Sequence, residues 1–267
     1  MKYKIAIARF PYGGSERKEV SRWLPTLCKQ IRSYSSIDQI ISLEYDDTPI
    51  TMTRNKAFMD AKNADCDLLL MIDSDMHPDK YVGIDPNAKP FFPTAFEFMA
   101  NHQGPCVIAA PYCGPPPHEN VYVFQWGRKQ GDYPGCDMSL DQYSREHAAI
   151  CSGIQEAAAL PTGLMLIDMR ILPMIPPPWF EYEYADPPYN TKKATTEDVF
   201  ITRNMALVGI KQYCAWDCWA GHMKWKSVGR PEVYTTDMVR KDLREAVIKG
   251  NTMTERLIEV FGEEVGK

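Results

Sequence analysis

The stretch Asp67-Leu68-Leu69-Leu70-Met71-Ile72-Asp73-Ser74-Asp75 decides the predicted fold of this chain. Its centre is a continuous apolar run, without the alternation of apolar and polar residues that marks a half-exposed strand. Such a run is typical of a strand buried on both faces, as in parallel sheets covered by helices. The carboxylates that follow it stand at the carboxyl end of that strand, where α/β folds bind ligands. The sequence therefore predicts a central buried strand with a candidate site at its end.

Strand and helix patterns alternate on both sides of this stretch. The predicted strands are 2–8, 37–43, 106–110, 164–167 and 211–216, and the predicted helices are 16–33, 51–63, 93–101 and 197–207. This alternation favours an α/β fold, a three-layer sandwich with helices on both faces of a mostly parallel mixed sheet.

Two loop-rich segments, 111–160 and 181–194, interrupt the alternation, and the first holds a predicted short strand pair around 121–126. Loops this long are usually functional, and we place the first on the acceptor side of a site. The tail is predicted to hold helices at about 237–249 and 253–261. Because no linker with a clear change of composition is present, we predict one domain over 1–235 with a helical extension over 236–267.

The composition is that of a folded globular protein. Of its 267 residues, 45% are hydrophobic and 24% charged, which excludes disorder and coiled coil as the main character. A net charge of −5 argues against a surface that binds nucleic acid throughout, although local basic patches remain compatible with it. No run reaches the roughly 18 apolar residues of a membrane span. We expect a cytoplasmic protein, in a bacterium or a phage-infected host cell.

The eight cysteines are scattered along the chain. In a chain of this length they are predicted to be reduced and mostly buried thiols. Cys214 and Cys218 lack a second pair at zinc spacing, which disfavours a structural zinc site.

Asp73 and Asp75 are the first candidate site residues. Carboxylates at the end of a buried parallel strand are hard oxygen ligands, suited to Mg²⁺ or Mn²⁺ held jointly with a phosphate. The alternative interpretation is a polar turn that ends the strand.

Three further motifs carry polar or flexible residues, and each also has a structural interpretation. Thr196-Glu197-Asp198 opens a helix, where acidic residues also serve as caps. Pro161-Thr162-Gly163 leads into the strand 164–167, and a glycine there allows a ligand to approach the backbone. Gly221-His222 follows the last strand, although a lone histidine more often has a structural role.

Taken in this order, the four motifs resemble those of the GT-A glycosyltransferases. Those enzymes carry an Asp-x-Asp metal motif, a glycine-containing loop, an x-Glu-Asp motif and a C-terminal metal-binding histidine. The resemblance covers roughly residues 2–226, and Thr53-Arg54-Asn55 is similar to the Arg-Asn helix start of small bacterial and phage members. The chain departs from the family in its 111–160 segment and its C-terminal helices.

The resemblance implies a divalent metal and a nucleotide-sugar donor, with a UDP-sugar the commonest type. Asp75 and His222 would bind Mn²⁺ or Mg²⁺, and Asp73 would bind the metal or the ribose. The residues implied to contact the donor are Arg54, Asn55, Asp73, Gly163, Lys224 and Lys226.

The resemblance also implies the catalytic residues. Asp198 matches the general base of inverting members, where a carboxylate takes the proton of the attacking hydroxyl. Glu197 would orient the acceptor or the helix start. We therefore predict an inverting enzyme and leave a retaining mechanism open.

Residues 179–189 are unusually aromatic. They are predicted either to form a flap that closes on donor and acceptor or to pack on the core, and we hold the two interpretations equal.

The predicted function is transfer of a sugar to a hydroxyl acceptor. Candidate acceptors are a glycan, a lipid-linked sugar, a protein, or a hydroxymethylated pyrimidine in phage-type DNA. The alternatives are a sugar nucleotidyltransferase, for which Phe10–Arg17 is a poor match to the expected phosphate loop, and a binding module without catalysis. The oligomeric state is left open.

Overall fold

The structure is a computed structural model, and it describes residues 2–11, 15–46, 49–115, 119–127, 140–185, 188–189, 191–224 and 227–228. The predicted C-terminal helices and the predicted boundary near residue 235 lie outside these residues. The same holds for Lys226, one of the residues implied to contact the donor.

A seven-stranded sheet forms the centre of the fold. Its strands, in spatial order, are β2 (Ile37–Glu44), β1 (Tyr3–Phe10), β3 (Leu68–Asp73), β9 (Leu164–Asp168), β5 (Cys106–Ala109), β12 (Lys211–Ala215) and β8 (Ile154–Glu156). Five strands share one direction, whereas β9 and β8 run antiparallel to their neighbours. The predicted α/β class with a mostly parallel mixed sheet is confirmed.

Short strand pairs and helices complete the described part of the chain. The short strands are β4 (Met76–His77), β6 (Phe124–Trp126), β7 (Leu140–Gln142), β10 (Glu183–Tyr184), β11 (Lys193–Thr195), β13 (Gly221–Met223) and β14 (Ser227–Val228). The α-helices are α1 (Lys18–Ser33), α2 (Ile50–Asn63), α3 (Phe91–Asn101), α4 (Arg145–Ile150) and α5 (Glu197–Leu207), and a 3₁₀ helix spans Met169–Met174.

The apolar run of β3 is buried on both faces, as its sequence predicts. Leu68, Leu70 and Ile72 belong to one core cluster, which includes residues of α1 and α3. Leu69 and Met71 belong to the other, which includes residues of α2 and α5. Two helices therefore cover each face of the sheet, and the three-layer arrangement follows from the side-chain alternation of the strand.

The 111–160 segment contains more regular structure than its composition indicates. It holds the β6–β7 pair and helix α4, and its end supplies the edge strand β8 of the central sheet. The short strand pair predicted around residues 121–126 matches β6, but its partner β7 lies at Leu140–Gln142, and three-residue strands such as β7 and β8 leave too short a pattern to be predicted from sequence.

Two further sequence predictions can be compared with the described residues. No helix among them is long and apolar enough to cross a membrane. The seven cysteines that the structure describes are all free thiols, and five of them are buried.

The sheet brings several chain segments to one edge. Phe10, at the end of β1, opposes Asp73 at the end of β3. Because β9 is antiparallel to β3, the start of β9 reaches the same edge, where the Asp73 amide donates to the Gly163 carbonyl at 2.9 Å.

Candidate active site

A cleft of about 1060 Å³ opens at this edge of the sheet. Its size is that of a small-molecule site. The residues that line it are Phe10, Pro11, Ser15, Arg17, Tyr45, Pro49, Ile50, Thr53, Asp73, Ser74, Asp75, Tyr182, Met223 and Lys224. The cleft thus combines an aromatic wall, in which Phe10 stacks on Tyr45 with 6.0 Å between ring centroids, and the predicted carboxylates.

A short antiparallel ladder brings Asp75 to His222 and Lys224. Strand β4 directly follows Asp75 and pairs with β13, so that Met76 opposes His222. The Met223 amide donates to the Asp75 carbonyl at 2.6 Å. The side chains meet as a result, since Nε2 of His222 and Nζ of Lys224 lie 3.3 Å and 2.5 Å from the same Oδ2 of Asp75.

The imidazole of His222 is buried and fixed in orientation. Its Nδ1 lies 2.9 Å from the Cys113 carbonyl oxygen, and the ring packs edge-on against Tyr112. A carbonyl can only accept, so Nδ1 carries a proton, and Nε2 faces Asp75. A metal-binding histidine commonly donates its second ring N–H to a carbonyl in this way.

Asp75 is held in its ionised form. Burial alone would raise its pKa, but hydrogen bonds and charges from His222 and Lys224 outweigh burial and lower the pKa of Asp75 to about 2. The carboxylate is therefore charged at any physiological pH, as a metal ligand must be.

The donor set fits a divalent cation that is shared with a ligand. The Oδ2 atom of Asp75, a residue that lines the cleft, faces Nε2 of the buried His222 behind it. Across the described parts of the chain, no group of three or more His, Cys, Asp or Glu side chains is arranged to hold a metal. Mg²⁺ and related cations are often held by one or two protein ligands together with substrate phosphates and water.

Asp73 is paired with a buried arginine. Nη2 of Arg54 lies 2.9 Å from both carboxylate oxygens of Asp73, and Nη1 donates to Oε1 of Glu197 at 2.7 Å. The guanidinium is buried, and Asp73 is the less buried of its two partners, with 22% of its side chain exposed. The ion pair directly joins the Thr53-Arg54-Asn55 motif to the Asp73-Ser74-Asp75 motif. Binding of a nucleotide by Arg54 and of a metal by Asp73 stay predictions.

The Asn55 side chain hydrogen-bonds to backbone groups of α2 and of the aromatic segment. Its Oδ1 accepts from the amides of Trp179 and Phe180, and its Nδ2 donates to the Thr51 and Phe180 carbonyls. The side chain therefore holds the start of the aromatic segment against α2. A contact between Asn55 and a nucleotide stays a prediction.

Glu197 and Asp198 occupy the first turn of α5 but differ in environment. Burial raises the pKa of Glu197, Arg54 counteracts this, and the negative charge of Asp198 adds to it. Asp198 is half-buried, and its Oδ1 accepts from the Val199 amide at 3.0 Å and from the Thr196 hydroxyl. Within the described part of the chain both hydrogen bonds to the Asp198 carboxylate are made to Oδ1, and a proton would therefore go to Oδ2.

Gly163 is required by a close approach of Tyr112. The Tyr112 hydroxyl accepts from the Gly163 amide at 3.3 Å. A Cβ atom at position 163 would lie 2.7 Å from that hydroxyl oxygen, closer than real Cβ contacts. The glycine therefore has a packing role, and its predicted contact with a donor stays a prediction.

The aromatic segment is partly core and partly cleft wall. Trp179 and Phe180 are buried against Phe58, whereas Tyr182 lines the cleft. Burial and the neighbouring Glu197 raise the pKa of Tyr182. The core interpretation is therefore confirmed for Trp179 and Phe180, and closure of the segment on a donor stays a prediction.

The β10–β11 pair that follows is anchored on α5. Glu183 accepts from both terminal nitrogens of Arg203, at 2.7 and 2.6 Å, and from the Thr195 hydroxyl at 2.8 Å. An opening of this pair would have to break these bonds.

Sequence reasoning missed two parts of the site. Tyr112 is buried beside Gly163 and His222, and burial together with the charges of Asp73 and Asp198 raises its pKa far above the ordinary value. Ser15 and Arg17, from the segment before α1, line the cleft, and the Arg17 amide donates to the Ser74 carbonyl at 3.0 Å. Tyr112 could have been found from its place just after the buried strand 106–110, at the ligand-binding edge.

Known proteins match this chain by structure and not by sequence. The chain matches no known protein-family profile, and no curated protein matches its sequence. A197 from STIV has 16% identity and a TM-score of 0.49, and the match covers 88% of this chain and 97% of that one. GalNAc-T7, in a structure with UDP, GalNAc and Mn²⁺, has 8% identity and a TM-score of 0.41 over 92% of this chain and 48% of that one.

A third solved structure is a glycosyltransferase involved in the glycosylation of the major capsid of PBCV-1. It has 12% identity and a TM-score of 0.26, over 66% of this chain and 68% of that one. Glycosyltransferases are thus among the structures that this chain is similar to. At these identities and TM-scores the likeness assigns no activity.

Proposed function

We propose that this chain is a metal-dependent glycosyltransferase that moves a sugar from a nucleotide-diphosphate donor, a UDP-sugar in the first instance, to a hydroxyl acceptor. The observation that carries the proposal is the pair of the cleft residue Asp75 and the buried His222 behind it, with Oδ2 and Nε2 3.3 Å apart. A polar turn that merely ends β3 would not need a buried imidazole with its second nitrogen fixed by a backbone carbonyl.

Asp75 and His222 are the residues that would hold Mn²⁺ or Mg²⁺. When bound, such a cation neutralises the negative charge that develops on a diphosphate leaving group. Lys224 lines the cleft and supplies a further positive charge for the diphosphate, and Lys226 is proposed for the same role. Arg54 fixes Asp73 and Glu197 relative to each other, which keeps the two acidic motifs in a constant geometry.

Asp198 is the proposed general base of an inverting transfer. Glu197 forms the buried ion pair with Arg54. Asp198 is half-buried, its Oδ1 accepts from the Val199 amide, and Oδ2 is the oxygen proposed to accept the proton. A carboxylate within hydrogen-bond reach of the acceptor hydroxyl would take its proton as the sugar is transferred. Glu197 then acts by positioning Arg54 and the start of α5.

The donor can be identified by its effect on stability. A panel of nucleotide sugars is added with Mn²⁺, and a cognate donor at 100 times its Kd is expected to stabilise the fold by about 2.7 kcal/mol. Asp75→Asn should abolish the Mn²⁺-dependent part of this stabilisation. Asp38→Asn is the matched control, because Asp38 is 64% exposed and pairs with Lys2 on the surface. Equal stabilisation of wild type and Asp75→Asn would contradict the proposed metal site.

The acceptor is then sought with the identified donor. One arm offers an oligosaccharide panel, and the other offers duplex and single-stranded DNA with hydroxymethylated pyrimidines, which an enzyme can reach only when the base leaves the stack. Mass spectrometry detects the added sugar. Donor binding without transfer to any acceptor or to water would favour the binding-module alternative.

A sugar nucleotidyltransferase is the second candidate, because Ser15 and Arg17 place the segment after β1 at the cleft. Such an enzyme would consume a nucleoside triphosphate and a sugar 1-phosphate and release pyrophosphate. Pyrophosphate release from these substrates, without transfer from a nucleotide sugar, would replace the first proposal by this one.

A further inference from the structure

We propose that in the free protein the Lys224 ammonium group occupies the position on Asp75 that the divalent cation takes when it binds. When the cation binds, Lys224 moves to the donor diphosphate. This inference rests on the metal site proposed above. It adds that binding of the cation and pairing of Lys224 with Asp75 exclude each other.

Binding of the cation and pairing of Lys224 exclude each other because both use the same oxygen atom, Oδ2 of Asp75. Nζ of Lys224 lies 2.5 Å from Oδ2 of Asp75, the same atom that faces Nε2 of His222 at 3.3 Å. A cation bound between Asp75 and His222 would need a short bond to that oxygen, of about 2.0–2.6 Å for Mg²⁺ or Ca²⁺. The ammonium group already occupies this contact, and two positive centres on one oxygen repel each other.

Lys224 can move away from Asp75, whereas His222 is fixed in its position. The Lys224 side chain is 41% exposed and sits on a flexible four-carbon stem at the end of β13. The His222 side chain is 9% exposed and is fixed by the Cys113 carbonyl. Because Lys224 also lines the cleft, its released ammonium group stays beside the space that the diphosphate would fill.

Lys224 therefore has opposite effects on the two ligands. It weakens the binding of the cation alone, because the cation must displace it. It strengthens the binding of a nucleoside diphosphate to the cation-loaded protein, because the released charge then faces phosphate. A residue with a merely structural role would weaken both when it is replaced.

The test measures Mn²⁺ and UDP binding separately on the full chain. Mn²⁺ alone is titrated by the electron paramagnetic resonance signal of the free ion, and UDP is titrated calorimetrically at saturating Mn²⁺. For Lys224→Met, which keeps the length of the side chain and removes its charge, we expect about 3–10-fold tighter Mn²⁺ binding and about 3–10-fold weaker UDP binding. Lys224→Arg should bind Mn²⁺ as wild type does. Lys211→Met is the matched control and should leave both constants unchanged, since Lys211 pairs with Glu156 on the surface.

The outcomes separate this inference from the proposed function. Mn²⁺ binding that does not depend on Asp75 or His222 in wild type would overturn the proposed metal site and this inference with it. Mn²⁺ binding that depends on both residues but is unchanged or weaker in Lys224→Met would overturn this inference alone.

Discussion

Arg54 and Glu197 are 143 positions apart in the chain, yet Nη1 of Arg54 donates to Oε1 of Glu197 at 2.7 Å in the protein interior. The other terminal nitrogen of Arg54 contacts both oxygens of Asp73. One guanidinium thus joins the end of β3 to the start of α5, the two places where the sequence puts its acidic motifs. The geometry of the candidate site depends on this buried cation.

Replacing Arg54 should strongly destabilise the fold. Arg54→Met leaves Asp73 and Glu197 without their common partner, and loss of one member of a buried ion pair typically costs about 3–5 kcal/mol. Urea denaturation measures the free energy of unfolding. Lys2→Met, in an exposed pair with Asp38, should change it by about 1 kcal/mol or less. Similar losses in both variants would contradict the structural role of Arg54.

The free energy of unfolding should fall at acid pH because Asp75 becomes protonated. Because its folded pKa is lowered to about 2, its contribution is complete above the unfolded pKa of about 3.9 and is lost as the pH falls through the folded value. Between pH 6 and pH 3 this loss should be about 1 kcal/mol. Asp75→Asn should lack this part of the pH dependence, as measured by urea denaturation at both pH values. Parallel pH profiles for the two proteins would refute the assignment.

Asp198→Asn should separate catalysis from stability. It removes the proton acceptor and keeps the shape, so turnover should fall about 10²–10⁴-fold with little change in donor affinity. Glu197→Gln should lower turnover less and the melting temperature more, because it removes a buried charge that Arg54 needs. Near-normal turnover of a folded Asp198→Asn protein would point to another base or to a retaining mechanism.

Gly163→Ala should destabilise the fold through Tyr112. Its new Cβ would lie 2.7 Å from the Tyr112 hydroxyl oxygen, and overpacking of this kind costs about 1–3 kcal/mol. Tyr112→Phe removes that oxygen, so the double variant should be more stable than the sum of the single effects indicates. Strictly additive losses of unfolding free energy would argue against the contact.

Donor binding should protect only part of the aromatic segment from hydrogen exchange. The amides of Trp179 and Phe180 donate to Asn55 and should exchange slowly with and without donor. The amides of Glu183 and Tyr184, next to the cleft residue Tyr182, should gain protection when a nucleotide sugar and Mn²⁺ are added. Equal exchange in both states at Glu183 and Tyr184 would exclude closure of this segment on the donor.

Several elements could be predicted from the sequence because their causes are local. The unbroken apolar run of β3 requires cover on both faces, and the periodic positions Val20, Trp23, Leu27 and Ile31 define the buried face of α1. The order of the four motifs and the place of Asp73 and Asp75 at the end of a buried strand also follow from the sequence. A short strand around Val121–Trp126 is predicted and β6 lies there, whereas β7 and β8 could not be predicted, because three residues carry too little pattern.

What only the tertiary structure decided is the set of partners of each polar side chain. The sequence determined that Asp75 ends a buried strand, and the pairing of β4 with β13 decided that Asp75 meets His222 and Lys224. The sequence likewise determined that Arg54 and Asn55 lie near the start of a helix. The packing of α2 decided that Arg54 pairs with acidic side chains and that Asn55 binds backbone groups. Hydrogen bonds and ion pairs require contact within about 3 Å, and contacts between residues far apart in sequence exist only once the chain has folded.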